Sequence, residues 1–388
     1  MRPIQYTAHN TITLLHYGAE FFPALIDAID SAQAEIYLET YIFAADETGD
    51  KVKDALKRAG TRGVMVNVMT DWLGTGRIQA KALQQEFSQA NVNFRAFNPW
   101  FRHGIARTHR KLAVIDRELG FLGGLNINDD MRADDDFNVI LPAPRWDIAV
   151  QAVGPLVQDI HREAEAQWIR MGPMKLRLRW QMFRKLRRAK ARSSAAGPSL
   201  AGLVVRDNLR NRRTIQRAYL QALGHARKSA FLANPYFAPG KKLRRALESA
   251  AERGVEVTLL LGVGQFRLQD AIAHSFYPKL LEHGVKIVEY GKTQLHGKVA
   301  VIDDVWATVG SSNYDGFSLF VNQEANIVVK DAEFAKSLRS HIELGIADGI
   351  QVRLEDYSNI GWLRRLWYGS AFWLYRSMIR IMSGNNYT

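Results

Sequence analysis

Cysteine is absent from this 388-residue chain. That excludes disulfides and thiolate metal sites, and the fold needs no oxidising compartment. No apolar run approaches the ~20 residues that a helix needs to cross a bilayer. The first eleven residues hold no apolar signal region, so the chain is not expected to cross a membrane. Acidic residues are in deficit, 39 against 52 basic, for a net charge of +13. They are missing altogether from residues 175–192, where Lys175, Arg177, Arg179, Arg184, Lys185, Arg187, Arg188, Lys190 and Arg192 supply nine of those thirteen charges. Leu176, Leu178, Trp180, Met182, Phe183 and Leu186 are interleaved with them. A solvated linker would carry fewer such residues. A basic amphipathic segment at an anionic lipid surface fits better, at about 1 kcal/mol per basic residue. Ser193 to Pro198 then reads as a flexible hinge.

What the chain does have is one pattern written twice. His109-Arg110-Lys111 runs into Leu112-Ala113-Val114-Ile115 and Asp116, and His296-Gly297-Lys298 into Val299-Ala300-Val301-Ile302 and Asp303. Six residues later each block reaches a small-residue turn ending in asparagine, Gly123-Gly124-Leu125-Asn126 and Gly310-Ser311-Ser312-Asn313. In H-x-K the two side chains are two apart, so on an extended strand they share a face. A neutral imidazole can attack phosphorus while the lysine neutralises the non-bridging oxygens. The asparagine adds a neutral donor, and the small residues before it let backbone approach an anion closely. Two such sets could serve one phosphodiester, one histidine attacking and the other protonating the departing alcohol, with no metal or other cofactor.

The duplication extends beyond the motifs. A strand reaching Tyr41, a helical stretch and the strand around Arg62 to Val68 are echoed by a strand reaching Tyr236, a helical stretch and the strand around Arg253 to Leu259. Asn91-Val92-Asn93-Phe94 and Gly284-Val285-Lys286-Ile287-Val288 each open a further strand before the motif histidine. Short β-branched runs alternating with helical stretches predict an α/β fold with helix-covered sheets.

The doubled motif with its G-G-x-N and G-S-S-N tails resembles the phospholipase D superfamily. Further stretches are similar to bacterial cardiolipin synthases, most nearly the B type: Leu38 to Phe43 with Asp46 to Gly49, Trp146-Asp147 before Gly154-Pro155, Asn234 to Gly240, and Trp306 through Asn326. Thr108, Gly297 and Asp304 depart from the usual pattern of that family without removing a reactive group. The resemblance implies two pseudo-twofold-related lobes, each a mixed β-sheet flanked by helices, with the active site at their seam. It also implies a phosphatidyl transfer from phosphatidylglycerol, or from phosphatidylethanolamine, through a phosphatidyl-histidine on His109 by the usual family order, with His296 as acid and then base, the pseudo-symmetry leaving the reverse assignment open. A phospholipase D-type hydrolase giving phosphatidic acid and a nuclease are the alternatives; nucleic acid is not an expected partner.

The expected catalytic set is His109, Lys111, Asn126, His296, Lys298 and Asn313, with Asp116 and Asp303 either catalytic, holding a turn or pairing with a lysine across the seam. Each imidazole needs a carboxylate to fix its tautomer. The family pattern points to Glu324 in the second half and to Asp147 in the first, with Asp136 as the nearer-spaced alternative. The expected organisation is a first lobe over residues 1–171, the basic linker over 172–199, a second lobe over 200–350 and an aromatic, basic tail over 351–388. In that tail Trp362, Trp367, Tyr368, Phe372, Trp373 and Tyr375 mix with Arg364, Arg365, Arg376 and Arg380, a composition suited to the headgroup zone or to packing on a lobe. The implied location is peripheral, at the cytoplasmic face of a bacterial inner membrane.

Overall fold

The computed structural model describes residues 4–101, 104–134, 136–172, 177, 179, 181–182, 184, 186, 196–207, 211–358 and 360–383. Much of the basic 175–192 segment, Trp180 and Phe183 included, lies outside the described residues, as do residues 193–195 of the expected hinge. The chain divides into two compact units, one of Met1–Asp129 with Ala149–Leu203, the other of Asp130–Ile148 with Val204–Thr388.

The first unit contains β1 (Thr7–His16), α1 (Tyr17–Ser31), β2 (Glu35–Thr40), α2 (Glu47–Thr61), β3 (Met65–Asp71), α3 (Arg77–Gln89), β4 (Val92–Phe97), β5 (Leu112–Ile115), β6 (Leu119–Gly123), β7 (Ile148–Val153) and α4 (Leu156–Met171). The strand order is β1-β7-β6-β5-β2-β3-β4. β2, β3 and β4 run parallel, while β5 lies antiparallel to β2 and forms a meander with β6 and β7. β2 is buried at all six positions, as expected of a central strand covered on both faces. α2 starts where the Asp46 side chain accepts from Gly49 N at 2.8 Å, and it buries Val52, Ala55, Leu56 and Ala59 along one stripe.

The second unit repeats this order. Its elements are β8 (Ser199–Arg206, which begins in the first unit), α5 (Thr214–His225), β9 (Ser229–Asn234), α6 (Lys241–Glu252), β10 (Glu256–Gly262), α7 (Arg267–His274), α8 (Tyr277–Glu282) and β11 (Lys286–Tyr290). Then follow β12 (Val299–Ile302), β13 (Trp306–Gly310), α9 (Gly316–Phe320), β14 (Glu324–Lys330), α10 (Ala332–Ala347), β15 (Ile350–Val352), α11 (Glu355–Ser358) and α12 (Trp362–Ser383). The strand order β14-β13-β12-β9-β10-β11 matches β7-β6-β5-β2-β3-β4 strand for strand, with β15 added at the edge. Each unit is thus the α/β sheet that the repeat predicts.

The tail is a 22-residue helix. Ala371, Tyr375 and Ile379, four residues apart, are buried, and Tyr375 Oη accepts from Gly316 N at 2.5 Å. Trp362, Leu363, Leu366, Trp373, Leu374 and Ile381 stay exposed. Apolar residues on both faces explain why no single stripe is legible in the sequence. Among the described residues no helix is long and apolar enough to cross a membrane. Of the basic segment, Met182 and Leu186 pack inward on Ala166 and Ile169 of α4, leaving Arg177 and Arg184 exposed.

Candidate active site

The first motif immediately precedes β5, and its extended backbone sends alternate side chains opposite ways. Thr108 and Arg110 turn inward. Arg110 Nη2 and Nε meet Glu39 at 2.5 and 3.0 Å, Nη1 meets Glu163 at 2.9 Å, and Thr108 Oγ1 donates to Glu39. Burial works against the Arg110 charge, but the two carboxylates more than offset it and raise its pKa. The strand is thereby anchored from behind. His109 and Lys111 face the other way, His109 half-buried with the Tyr41 ring edge-on at 5.1 Å. Lys111 Nζ donates to the His109 carbonyl at 2.9 Å and lies 5.4 Å from the Tyr41 ring. Asn126 is buried, its Oδ1 accepting from Ile42 N at 3.2 Å, which turns its NH2 into the donor end.

In the second unit His296 and Lys298 are buried ahead of β12, and Lys298 Nζ donates to the His296 carbonyl. His296 Nδ1 lies 2.6 Å from Asp147 Oδ2, and its Nε2 lies 3.6 Å from Asp134 Oδ2. The strap Asp130–Ile148 delivers both carboxylates. The Trp146 carbonyl accepts from His296 N and Gly297 N at 2.9 and 2.8 Å, Trp146 N donates to Gln294 O, and Thr293 Oγ1 donates to Ala143 O. The Trp146 ring stacks on His341 at 4.9 Å and covers Gly297 so closely that a Cβ there would stand 2.4 Å from a ring carbon. Arg145 Nη1 donates to Asp134. Asn313 is buried beside Asp315, which caps α9 through Ser318 N. Burial pulls the Lys298 pKa down to about 8, despite the opposing pull of Asp147, Asp134 and Glu324.

Three expectations need correction. Asp147, expected to serve the first-half histidine, is bonded to His296, because the strap that carries it belongs to the second unit. Glu324 is buried and accepts from Ser311 Oγ at 2.5 Å, so it is not the Nδ1 partner of His296. Asp136 is exposed and turns onto Asn138 at 3.0 Å.

Asp116 and Asp303 stand at the far ends of β5 and β12 from the motif lysines. Asp116 accepts from the backbone N–H groups of Gln33, Ala34 and Glu35, and Asp303 from those of Arg227, Lys228 and Ser229, all between 2.7 and 3.0 Å. Both open left-handed turns, with φ of +53° and +62° at Asp116 and Arg117 and +55° and +54° at Asp303 and Asp304, the paired positive φ that suits tight hairpins. They are backbone clamps. Asp303→Ala is therefore expected to cost about 1–3 kcal/mol of stability in this partly exposed setting, and to leave kcat/KM per folded molecule within about threefold. Chemical denaturation and assays at matched folded concentration check both.

Residues 25–168 and 219–344 match the family described as cardiolipin synthase, PLD-like domain. Over 341 residues the chain is 37% identical to cardiolipin synthase B of Salmonella typhimurium, covering 86% of this chain and 80% of that protein. It is 36% identical over 349 residues to cardiolipin synthase B of Escherichia coli K12, covering 88% and 82%. Among solved structures, a phosphatidylserine synthase from Haemophilus influenzae shares the fold, with a TM-score of 0.70 at 14% identity over 97% of this chain and 95% of that one. Two complete copies of the motif, in the repeated setting that the family match covers, place the chain in the PLD-like cardiolipin synthase family.

Proposed function

We propose that the protein is a cardiolipin synthase-type phosphatidyl transferase using phosphatidylglycerol as donor and acceptor. An imidazole nitrogen of His109 attacks the donor phosphorus, the bond to the glycerol oxygen breaks, and His296 gives that oxygen its proton. His296 then takes the proton of a second phosphatidylglycerol hydroxyl, whose oxygen attacks the phosphatidyl-histidine. The P–N bond breaks, and cardiolipin and free His109 result. Lys111, Lys298, Asn126 and Asn313 stabilise the charge on the non-bridging oxygens, and loss of one such donor typically costs about 10²–10³ in rate. The observation that carries the division of labour is His296 held between two carboxylates, at Nδ1 by Asp147 and near Nε2 by Asp134. That setting favours the imidazolium a general acid must be.

Labelled phosphatidylglycerol in mixed micelles with a chelator present is expected to give cardiolipin and glycerol. Phosphatidic acid as the dominant product would assign the protein as a hydrolase instead, and loss of turnover on chelation would overturn the metal-free route.

The reading carries a pH dependence. Lys298 is charged below about pH 8 and neutral above it, so cardiolipin formation is expected to fall on the alkaline side with a midpoint near 8. Lys298→Arg should move that limb upward, because guanidinium keeps its proton. The stability sign is opposite. Holding the buried charge costs stability below about pH 8, and that cost is relieved as pH rises toward the unfolded value of 10.5. The wild type should gain on Lys298→Met across that window in urea melts.

A transferase whose two substrates are membrane lipids must work at the bilayer, and α12 is suited to peripheral attachment. Its outward face exposes Trp362, Leu366, Trp373 and Leu374 among Arg364, Arg365 and Arg376, the mixture that settles at headgroup depth. The exposed arginines of the 175–192 segment add electrostatic attraction, and the location this supports is a membrane surface on its anionic, cytoplasmic side. Losing one large buried apolar side chain costs about 1.5–3 kcal/mol. Trp362→Ser with Trp373→Ser is accordingly expected to weaken binding to phosphatidylglycerol vesicles at least about tenfold in flotation assays, with the thermal midpoint unchanged.

A further inference from the structure

One groove of the first unit is not used by this mechanism. It has a volume of about 770 Å³ and lies where α3, β4 and the end of α4 meet the loop around Trp100. Three cations, Arg77, Lys81 and Arg95, and three indoles, Trp72, Trp100 and Trp168, line it, and among the described residues no carboxylate does. The pairing is specific. The Arg77 guanidinium sits 4.7 Å over the Trp100 ring and that of Arg95 sits 3.8 Å over Trp168, its Nη1 donating to the Trp168 carbonyl. Burial lowers the Arg95 pKa, the mark of a partly desolvated cation. Trp100 is 56% exposed and holds a φ of +58°. That backbone state is strained for a bulky side chain, and burial does not repay it here. It sets the ring beside Trp72, centroids 5.1 Å apart, with Arg77 against it. Strain held where it builds an exposed surface is an observation from which a role can be inferred.

The groove is tied to the catalytic motif by short links. Trp72 follows Asp71, whose carboxylate accepts from Arg107 Nε at 3.1 Å and from Thr108 N at 3.0 Å, one residue from His109. The transfer reaction also has an unmet need: the acceptor lipid brings a second phosphate diester that does not react, and that anion requires a place of its own. We propose that this groove holds the acceptor, an anionic glycerophospholipid, with its phosphate among Arg77, Lys81 and Arg95 and its glycerol and first acyl carbons on Trp72, Trp100 and Trp168. The inference rests on the phospholipid reading above and adds a second lipid site to it.

Binding is best read without turnover, in full-length His109→Ala protein labelled with 5-fluorotryptophan, with the indole resonances assigned by Trp→Phe changes. Submicellar dihexanoyl phosphatidylglycerol is expected to shift the Trp100 and Trp168 signals saturably, and dihexanoyl phosphatidylcholine is not. Arg77→Gln with Lys81→Gln, both exposed on α3 and so neutral to folding, should weaken that response at least tenfold, as should Arg95→Gln. In the otherwise unchanged enzyme the Arg77/Lys81 pair should lower the ratio of cardiolipin to phosphatidic acid at least tenfold, because water replaces the missing acceptor. An equal response to phosphatidylcholine, or a phosphatidylglycerol response that survives the charge changes, would overturn the site. A response to inorganic phosphate at the same concentrations would reassign the groove to free phosphate. An unchanged product ratio would overturn the acceptor role. The binding arms stay legible even if the wild type makes no cardiolipin, which separates this inference from the proposed function.

Discussion

Alanine at His109 or at His296 is expected to reduce cardiolipin formation by about 10⁴-fold or more, because members of a catalytic unit fail together when one is removed. The two losses should differ in kind. Without His109 there is no atom to carry the phosphatidyl group, so no adduct forms with any donor. Without His296 the nucleophile is intact, with Lys111 and Tyr41 still around it, and what is missing is the proton for the leaving alcohol. A donor bearing p-nitrophenol in place of glycerol needs no such proton. His296→Ala should therefore release p-nitrophenol and accumulate a phosphatidyl adduct on His109, while His109→Ala should release none. Stopped-flow absorbance and peptide mapping of acid-labile phosphorus check this. An adduct mapped to His296, or equal p-nitrophenol release by both variants, would reverse the assignment.

Much of this could be read from the sequence because the chemistry recurs at fixed spacing. H-x-K ahead of four apolar residues fixes a same-face pair leading into a buried strand, and β5 and β12 are that strand in each unit. The repeated strand and helix order follows from β-branched runs broken by amphipathic stretches, and both sheets keep it. What was hidden depends on where a connection travels. Nothing in the spacing of Asp147 says that residues 130–148 belong to a different unit from their flanks, so a carboxylate 38 residues beyond His109 gives no sign in the sequence of its contact with His296. The place of Asp134 near His296 Nε2 is hidden for the same reason. For the motif aspartates the sequence leaves catalysis and turn-holding open, and three backbone N–H groups with a left-handed turn decide for the turn. Gly297, a departure from the family pattern, makes sense only once Trp146 is seen lying against it.

Asp147→Asn is expected to lower kcat by about 10²–10⁴ with KM for phosphatidylglycerol within about threefold. A carboxylate on Nδ1 fixes which ring nitrogen holds the mobile proton and stabilises the charged ring; an amide of the same shape does neither reliably. The geometry makes the effect local. The Trp146 carbonyl still accepts from His296 N and Gly297 N, and the indole still stacks on His341, so the strap keeps its seat when one oxygen becomes NH2. A merely structural aspartate would instead lose stability and leave the chemistry of folded molecules alone. Measured together, the thermal midpoint should move little and kcat greatly. The p-nitrophenol donor should restore most of the first-step rate to Asp147→Asn, because that step no longer draws on the acid that Asp147 sustains. Failure of that donor to rescue, with the protein folded, would mean that Asp147 acts somewhere other than through His296.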